Sequence, residues 1–293
     1  MIRNLETFIA VARVLNFGEA AKMLSYSQST ISDQIRLLEQ ELGVRLFERI
    51  GRRVFLTTQG ELLVPAAKRL VKDAANLKNL FRSEAEMGGV ITIAAAESLC
   101  TYWLPPLLKA YRQLYPNVHL NIRVGSCVDF PQWLQQDLVD VAFSLRNEYR
   151  KPQLVEDVLF NGQTVFIAAP DHALAQAAPF ELELLSAQTL LVPEGHAGYP
   201  QELKLLLADR QIRVEHMLAF GSLETIKQCV KNGLGISLLP ELAVAEEIRR
   251  GELVKLAWKE PMLIKAIMVF HRDKWLSPPL AAFKQLVLSN INI

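Results

Sequence analysis

The sequence predicts an α+α/β chain: an N-terminal winged helix-turn-helix over residues 1–58, a long linker helix over 59–88, and a C-terminal two-lobed α/β domain over 89–293. Three observations predict it. Two short helical patterns with apolar faces are joined by a link too short for anything but a turn, and an arginine-rich hairpin pattern follows them. A run of apolar residues then repeats at heptad spacing. Beyond Met87-Gly88-Gly89, strand-like and helical runs alternate in two similar units.

In the opening stretch MIRNLETFIAVARVL, the residues Leu5, Phe8, Ile9, Ala12 and Leu15 form a helical stripe that can pack beneath the next two helices. Those two lie in FGEAAKMLSYSQSTISDQIRLLEQEL. Ala20, Ala21 and Leu24 give the first a narrow apolar face, and Ile31, Ile35, Leu38 and Leu42 recur along the second. Ser25-Tyr26-Ser27 is the turn. The outer face of the second helix carries Gln28, Ser29, Thr30, Ser32, Asp33 and Gln34, short polar side chains that can exchange hydrogen bonds with base edges in a major groove. An ordinary solvated helical hairpin would show the same face.

Next comes GVRLFERIGRRVFLTTQGELL. Gly43 ends the helix, strand-like segments lie at 44–47 and 54–57, and Arg49, Arg52 and Arg53 crowd the turn between them. A basic hairpin beside a helix-turn-helix is a wing, whose arginines can lie along phosphates or reach into a minor groove.

With FGEAAKMLSYSQSTISDQIRLLEQELGVRLFER followed by LTTQG, the sequence resembles the LysR-type family of bacterial transcriptional regulators, and the order of later features extends the resemblance over the whole chain. The resemblance implies a DNA-contacting set of Ser27, Gln28, Ser29, Thr30, Ser32, Asp33 and Arg36 together with Arg49, Arg52 and Arg53 of the wing. Within it Gln28, Ser29 and Ser32 would read bases, while Thr30 and Arg36 would hold phosphate. Asp33 departs from the commonest family pattern, which has a basic residue there; an acid repels phosphate but can accept from a cytosine amino group.

Along TQGELLVPAAKRLVKDAANLKNLFRSEAEM, the residues Leu63, Ala67, Leu70, Ala74, Leu77 and Phe81 alternate steps of four and three. Pro65 should bend the first turns of this helix. The seam suits two chains lying along each other, or one helix packed on its own domain. The resemblance favours a homodimer that sets two recognition helices on a pseudo-palindromic double-stranded DNA operator. It also implies a dimer of dimers, a homotetramer, with RNA polymerase as a further partner.

The strand-like runs from Val90 onward predict a parallel sheet covered by helices, in lobe I (89–161 and 266–293) and lobe II (162–265). Helices are expected near 130–136, 200–208, 223–231 and 275–289, and crossing segments between the lobes near 160–163 and 263–265. The resemblance identifies this clamshell with the family's effector-binding domain, similar to type 2 periplasmic binding proteins. Ligands of open α/β sheets sit beyond the carboxyl ends of strands. Those ends give Glu97-Ser98-Leu99-Cys100-Thr101, then Gly125-Ser126-Cys127, then Pro193-Glu194-Gly195, and lastly Gly221-Ser222-Leu223, with Ser98, Leu99, Cys100, Thr101, Ser126, Cys127, Pro193, Ser222 and Leu223 as the candidate effector contacts. Serines converging on one cleft point to a small carboxylate or other anion as effector, although each serine could equally be a helix cap. Cys100 and Cys127 raise the alternative of a redox- or thiol-responsive regulator of the same family.

The remaining chemistry is sparse. The chain of 293 residues has 51% hydrophobic content and a net charge of +1, so the basic residues that bear on DNA are local rather than global. Its three cysteines lack CxxC spacing, its five histidines stand apart, and Gly233-Leu234-Gly235 lacks the register of a dinucleotide loop, so no metal, cofactor or catalytic residues are expected. There is no GxSxG elbow. The N-terminus lacks a secretory signal, and no apolar run is long enough to span a membrane, which predicts a cytoplasmic protein. A solute-binding protein would explain only the clamshell, and an enzyme would need a nucleophile with its base or a cofactor loop.

Overall fold

The computed structural model describes residues 1–51, 53–77, 80, 86–176, 180–194 and 198–291. Arg52, Phe81, Gly195 and His196 lie outside the described residues.

The first three helices are α1 (Ile2–Val14), α2 (Phe17–Leu24) and α3 (Gln28–Leu42). Asn16 caps α2, its Oδ1 accepting from the amides of Gly18 at 2.9 Å and Glu19 at 3.1 Å. The buried face of α1 is Leu5, Phe8 and Val11 with Thr7 and Ala10, rotated from the expected stripe. Ile9 and Ala12 sit at its edge, and Leu15 is exposed because it forms the left-handed cap of α1, with φ of 49°. On α3 the inward stripe stops at Leu38, and Leu42 faces solvent.

Strands β1 (Phe47–Ile50) and β2 (Arg53–Leu56) pair antiparallel as the wing. The first strand begins later than its sequence suggests, because the Glu39 carboxylate claims the preceding amides: Oε1 accepts from Leu46 N–H at 2.8 Å and from Phe47 N–H at 3.3 Å. Phe47 then packs its ring against Phe8 and Phe17, at centroid distances of 5.5 and 5.7 Å.

Helix α4 (Thr58–Leu77) carries Pro65 inside it and packs along α1. Thr57 fixes its start, its Oγ1 donating to the Arg45 carbonyl at 2.6 Å and accepting from Gly60 N–H at 3.0 Å. A Cβ at Gly60 would stand 2.2 Å from the Leu46 carbonyl oxygen, so only glycine lets α4 lie this close to the wing. Gly60→Ala is expected to destabilise the N-terminal unit by about 1–3 kcal/mol, read as a lower urea midpoint at unchanged slope.

The C-terminal domain runs through β3 (Gly89–Ala95), α5 (Glu97–Tyr102), α6 (Leu104–Leu114), β4 (Val118–Val124), α7 (Phe130–Gln135) and β5 (Val141–Leu145). It continues with β6 (Leu154–Ala168), β7 (Thr189–Pro193), α8 (Tyr199–Asp209), β8 (His216–Phe220), α9 (Leu223–Lys231) and β9 (Ile236–Pro240). The last elements are α10 (Ala245–Arg249), β10 (Val254–Lys255), β11 (Leu263–His271) and α11 (Pro278–Ser289). The strand order is β4-β3-β5-β11-β6-β9-β7-β8, with β10 paired to β6 off this path.

The sheet is mixed rather than parallel. β3, β4 and β5 are parallel in one lobe and β7, β8 and β9 in the other, but β6 and β11 run antiparallel to each other and to their neighbours β9 and β5. These two strands cross between the lobes as a hydrogen-bonded pair, with Leu263 opposite Gln163 and Lys265 opposite Asn161. Gly235 brings β9 against β7: a Cβ there would meet the Thr189 carbonyl oxygen at 2.2 Å. Helix α11 returns to the first lobe, where Tyr111 donates to the Pro279 carbonyl at 2.8 Å and stacks edge-on with Phe283 at 5.2 Å.

An ion-pair cluster joins α4 to this lobe. Asp140 accepts from Thr92 N–H at 2.7 Å, pairs with Lys274 at 2.7 Å and pairs with Lys72 of α4, while Lys274 also holds Asp137. No described helix is long and apolar enough to cross a membrane.

Candidate nucleic-acid interface and ligand cleft

The start of α3 is an N-cap network. Ser27 Oγ accepts from Thr30 N–H at 3.1 Å and lies 2.7 Å from Ser29 Oγ and 2.8 Å from Thr30 Oγ1, so these hydroxyls are occupied with one another. Ser32 Oγ donates to the Gln28 carbonyl at 3.0 Å, which leaves it an acceptor only. Asp33 pairs with Arg36 at 3.3 Å, both exposed, so the acid at this position meets a cation of its own helix. Gln34 is half-buried at the edge of the core, where its Oε1 accepts from the buried Thr7 hydroxyl. Gln28 is exposed and keeps its full amide donor and acceptor set.

Beside it, the wing turns at Gly51, whose φ of 64° suits a tight hairpin. Arg53 is exposed, and the Arg49 guanidinium lies over the Phe17 ring at 5.1 Å. That stacking holds the wing against α2 and leaves Arg49 exposed at the surface.

In the C-terminal domain the strand ends converge on a cavity of about 390 Å³ between the lobes. Of the expected residues, Ser98, Ser126, Cys127, Pro193 and Leu223 line it. Leu99, Cys100 and Thr101 do not, because Ser98 to Thr101 form a helix rather than a loop: Leu99 turns into the core, Cys100 packs against it and Thr101 faces outward. Ser126 Oγ accepts from Val128 N–H at 3.3 Å. Ser222 precedes α9 without capping it, since its Oγ donates to Glu97 Oε1 at 3.3 Å.

The expected seat for a ligand carboxylate at the start of α9 is filled by the protein itself. Leu223 N–H donates to Glu97 Oε1 at 3.0 Å and to Oε2 at 3.2 Å. Glu97 and Glu194, which lie in the expected strand-end loops but not among the candidate contacts, line the cavity, as does Tyr199, which the sequence reading did not single out. Their signal was local only in that Glu97 and Glu194 stand beside the expected positions.

Residues 84–291 match the family model of the LysR substrate binding domain, and residues 2–61 match that of the bacterial regulatory helix-turn-helix protein, lysR family. The chain belongs to the LysR family of bacterial transcriptional regulators. Like the family, the regulator combines a DNA-binding helix-turn-helix with an effector-binding domain, and the family is one of regulators rather than enzymes. It is 36% identical to YwqM of Bacillus subtilis (strain 168), an uncharacterized HTH-type transcriptional regulator, over 97% of each chain. Its fold matches that of full-length CbnR solved with its target DNA, with a TM-score of 0.71 at 24% identity over 98% of each chain. A Corynebacterium glutamicum OxyR mutant solved with H2O2 bound matches with a TM-score of 0.60 at 26% identity, over 99% of this chain and 92% of that one.

Two of the three thiols, Cys100 and Cys127, are held toward the protonated form. Burial pushes the Cys100 thiol up and the charge of Glu97 adds to the effect; burial also raises Cys127, against the lowering by its hydrogen bond with Ser144. A sensor cysteine needs the opposite, a thiolate favoured by cations or helix amides.

The expected heptad seam is divided. Ala67 is fully buried against α1 and Leu63 packs on the same core, so they belong to the N-terminal unit. Leu70 and Leu77 are 45% and 54% exposed, with Leu62 on the same outward side at 71%.

Proposed function

We propose that this regulator binds a pseudo-palindromic operator as a homodimer through the start of α3 and the wing, and that a small molecule in the interlobe cleft changes how strongly it does so. The observation that carries the DNA reading is the exposed, unbonded Gln28 beside hydroxyls held in a cap network, with arginines on the adjacent hairpin. Such a surface separates tasks. A side chain with a free donor and acceptor pair reads an adenine edge, and arginines on a hairpin hold phosphate. Acting on DNA, it would work in the cytoplasm.

Gln28→Ala is expected to cost about 1–3 kcal/mol on the specific operator with little loss on unrelated DNA. Arg53→Ala should weaken binding to every sequence and lower the salt slope by roughly one. Mobility shifts across a salt series check both, and an operator preference unchanged by Gln28→Ala would remove the groove assignment.

The effector reading rests on the cleft between β-strand ends, lined by residues of both lobes. A ligand touching both lobes favours one degree of closure, and only that difference in affinity can alter the presentation of the recognition helices. A carboxylate effector loses one of its expected seats, because Glu97 occupies the α9 amide. The thiol alternative loses ground for the reason given by Cys100 and Cys127.

A further inference from the structure

The charge of the cleft names the class of its ligand. Glu97, from the first lobe, is held at the start of α9 in the second by Leu223 N–H and Ser222 Oγ. On the same turn, Glu194 Oε2 lies 3.5 Å from where a Cβ of Gly221 would stand. Two carboxylates, one from each lobe, therefore converge on the turn 221–223. The Leu223 amide and the Ser222 hydroxyl serve only the first of them. Glu194 has no side-chain partner among the described residues, and no lysine or arginine lines the cavity among them.

Arg146, the cation at the neighbouring hollow, is engaged there: its guanidinium stacks on Tyr149 at 4.1 Å and donates to the Glu148 carbonyl at 3.0 Å. Two largely buried residues whose hydroxyls open on the cavity provide independent support for a ligand. Ser98 is 4% exposed and Tyr199 8%, both line the cavity, and neither hydroxyl has a hydrogen-bond partner among the described residues. A hydroxyl that meets no protein partner at the wall of a cavity is free to bond what enters it.

We propose that the ligand of this cleft carries a positively charged nitrogen, an ammonium or guanidinium group seated between Glu97 and Glu194, while its polar remainder meets the hydroxyls of Ser98 and Tyr199. The inference rests on the reading of the cleft as the effector site. A cation between carboxylates of different lobes removes their repulsion and draws the lobes together, so it binds the closed form better than the open one. An anion in the same place faces two like charges and must first evict Glu97 from the α9 amide. The first lobe is already placed to feel this closure, because Tyr102 at the far end of α5 lies under Lys227 of α9, with Nζ 4.9 Å from the ring centroid.

The test uses the full chain with 1,4-diaminobutane and agmatine as cationic probes and succinate as the anionic one, at matched ionic strength, read by calorimetry and thermal unfolding. The cationic probes are expected to raise the melting temperature, and Glu194→Gln or Glu97→Gln to weaken their binding roughly tenfold to a hundredfold. Without any probe, Glu194→Gln should melt at or above the wild-type temperature, since its carboxylate has no partner to lose. Three results would each overturn the proposal: no wild-type response to either amine, an equal response in the double glutamine variant, or stabilisation by succinate that grows in Glu97→Gln. If the amines bind in a carboxylate-dependent way while operator mobility stays unchanged, the ligand class stands and the effector reading falls.

Discussion

Glutamate at both outward positions of α4, Leu70→Glu with Leu77→Glu, is expected to leave a folded monomer and to cut operator affinity at least about a hundredfold. The reasoning starts from where the seam divides. Ala67 is sealed against α1, so charging it would unfold the N-terminal unit and say nothing about assembly. Leu70 and Leu77 are half exposed in the single chain, so glutamate there costs the monomer little. In a dimer the same positions would be covered, and an unpaired charge without water costs far more than the leucine contact contributed. Two half-sites bound by one dimer share an effective concentration that separate monomers lack, which sets the size of the loss. Sedimentation gives the oligomeric state and mobility shifts the affinity. A variant that still sediments as a dimer would move the interface elsewhere, with the exposed edge strands β4 and β8 as the next candidates.

What could be read from the sequence followed the range of the interaction. Ile31, Ile35 and Leu38 announce α3 because its inward face repeats every turn, and the link 25–27 and the start of α9 at Leu223 follow from equally local patterns. The face of α1 was misplaced for want of tertiary information: Thr7 and Val11 are buried by partners on other helices, and Leu15 is exposed only because it caps the helix. The first half of β6 was hidden by Glu156 and Asp157, which break the apolar run. Both meet partners from a distance: Glu156 accepts from Tyr149 N–H at 3.0 Å, and Asp157 forms an ion pair with Lys284 of α11 at 2.8 Å. Glu97 is the strongest case. The sequence places it in a strand-end loop rather than at the start of α5, and the amide that it caps belongs to Leu223 in the other lobe, a meeting that no local pattern encodes.

The second large effect is expected at Asp140. Its side chain is 3% exposed and receives Lys72 from α4, Lys274 from the turn after β11, and the Thr92 amide from β3. Asp140→Asn keeps the shape and an acceptor for Thr92, but leaves two ammonium groups with Asp137 as the remaining acid of the cluster that pairs with Lys274. Removing one partner of a buried ion pair costs about 3–5 kcal/mol, because the other charge stays buried. Lys72→Met, which removes only the more exposed link to α4, should cost less. The pH dependence follows from the shifts. Burial alone would raise the Asp140 carboxyl, but the charges of Lys72 and Lys274 outweigh it and hold it below its ordinary value. Its contribution is therefore present above the unfolded carboxylate pKa of about 3.9 and lost as pH falls through the lower folded value. Burial would lower Lys274, but Asp140 and Asp137 outweigh that and raise it. Its contribution is present below the unfolded lysine pKa of about 10.4 and lost as pH rises through the higher folded value. The stability difference between wild type and Asp140→Asn should thus be widest between about pH 4 and pH 10 and shrink at both ends. Urea midpoints across that range measure it, and a difference that is already small at neutral pH would mean that water, not the lysines, satisfies Asp140.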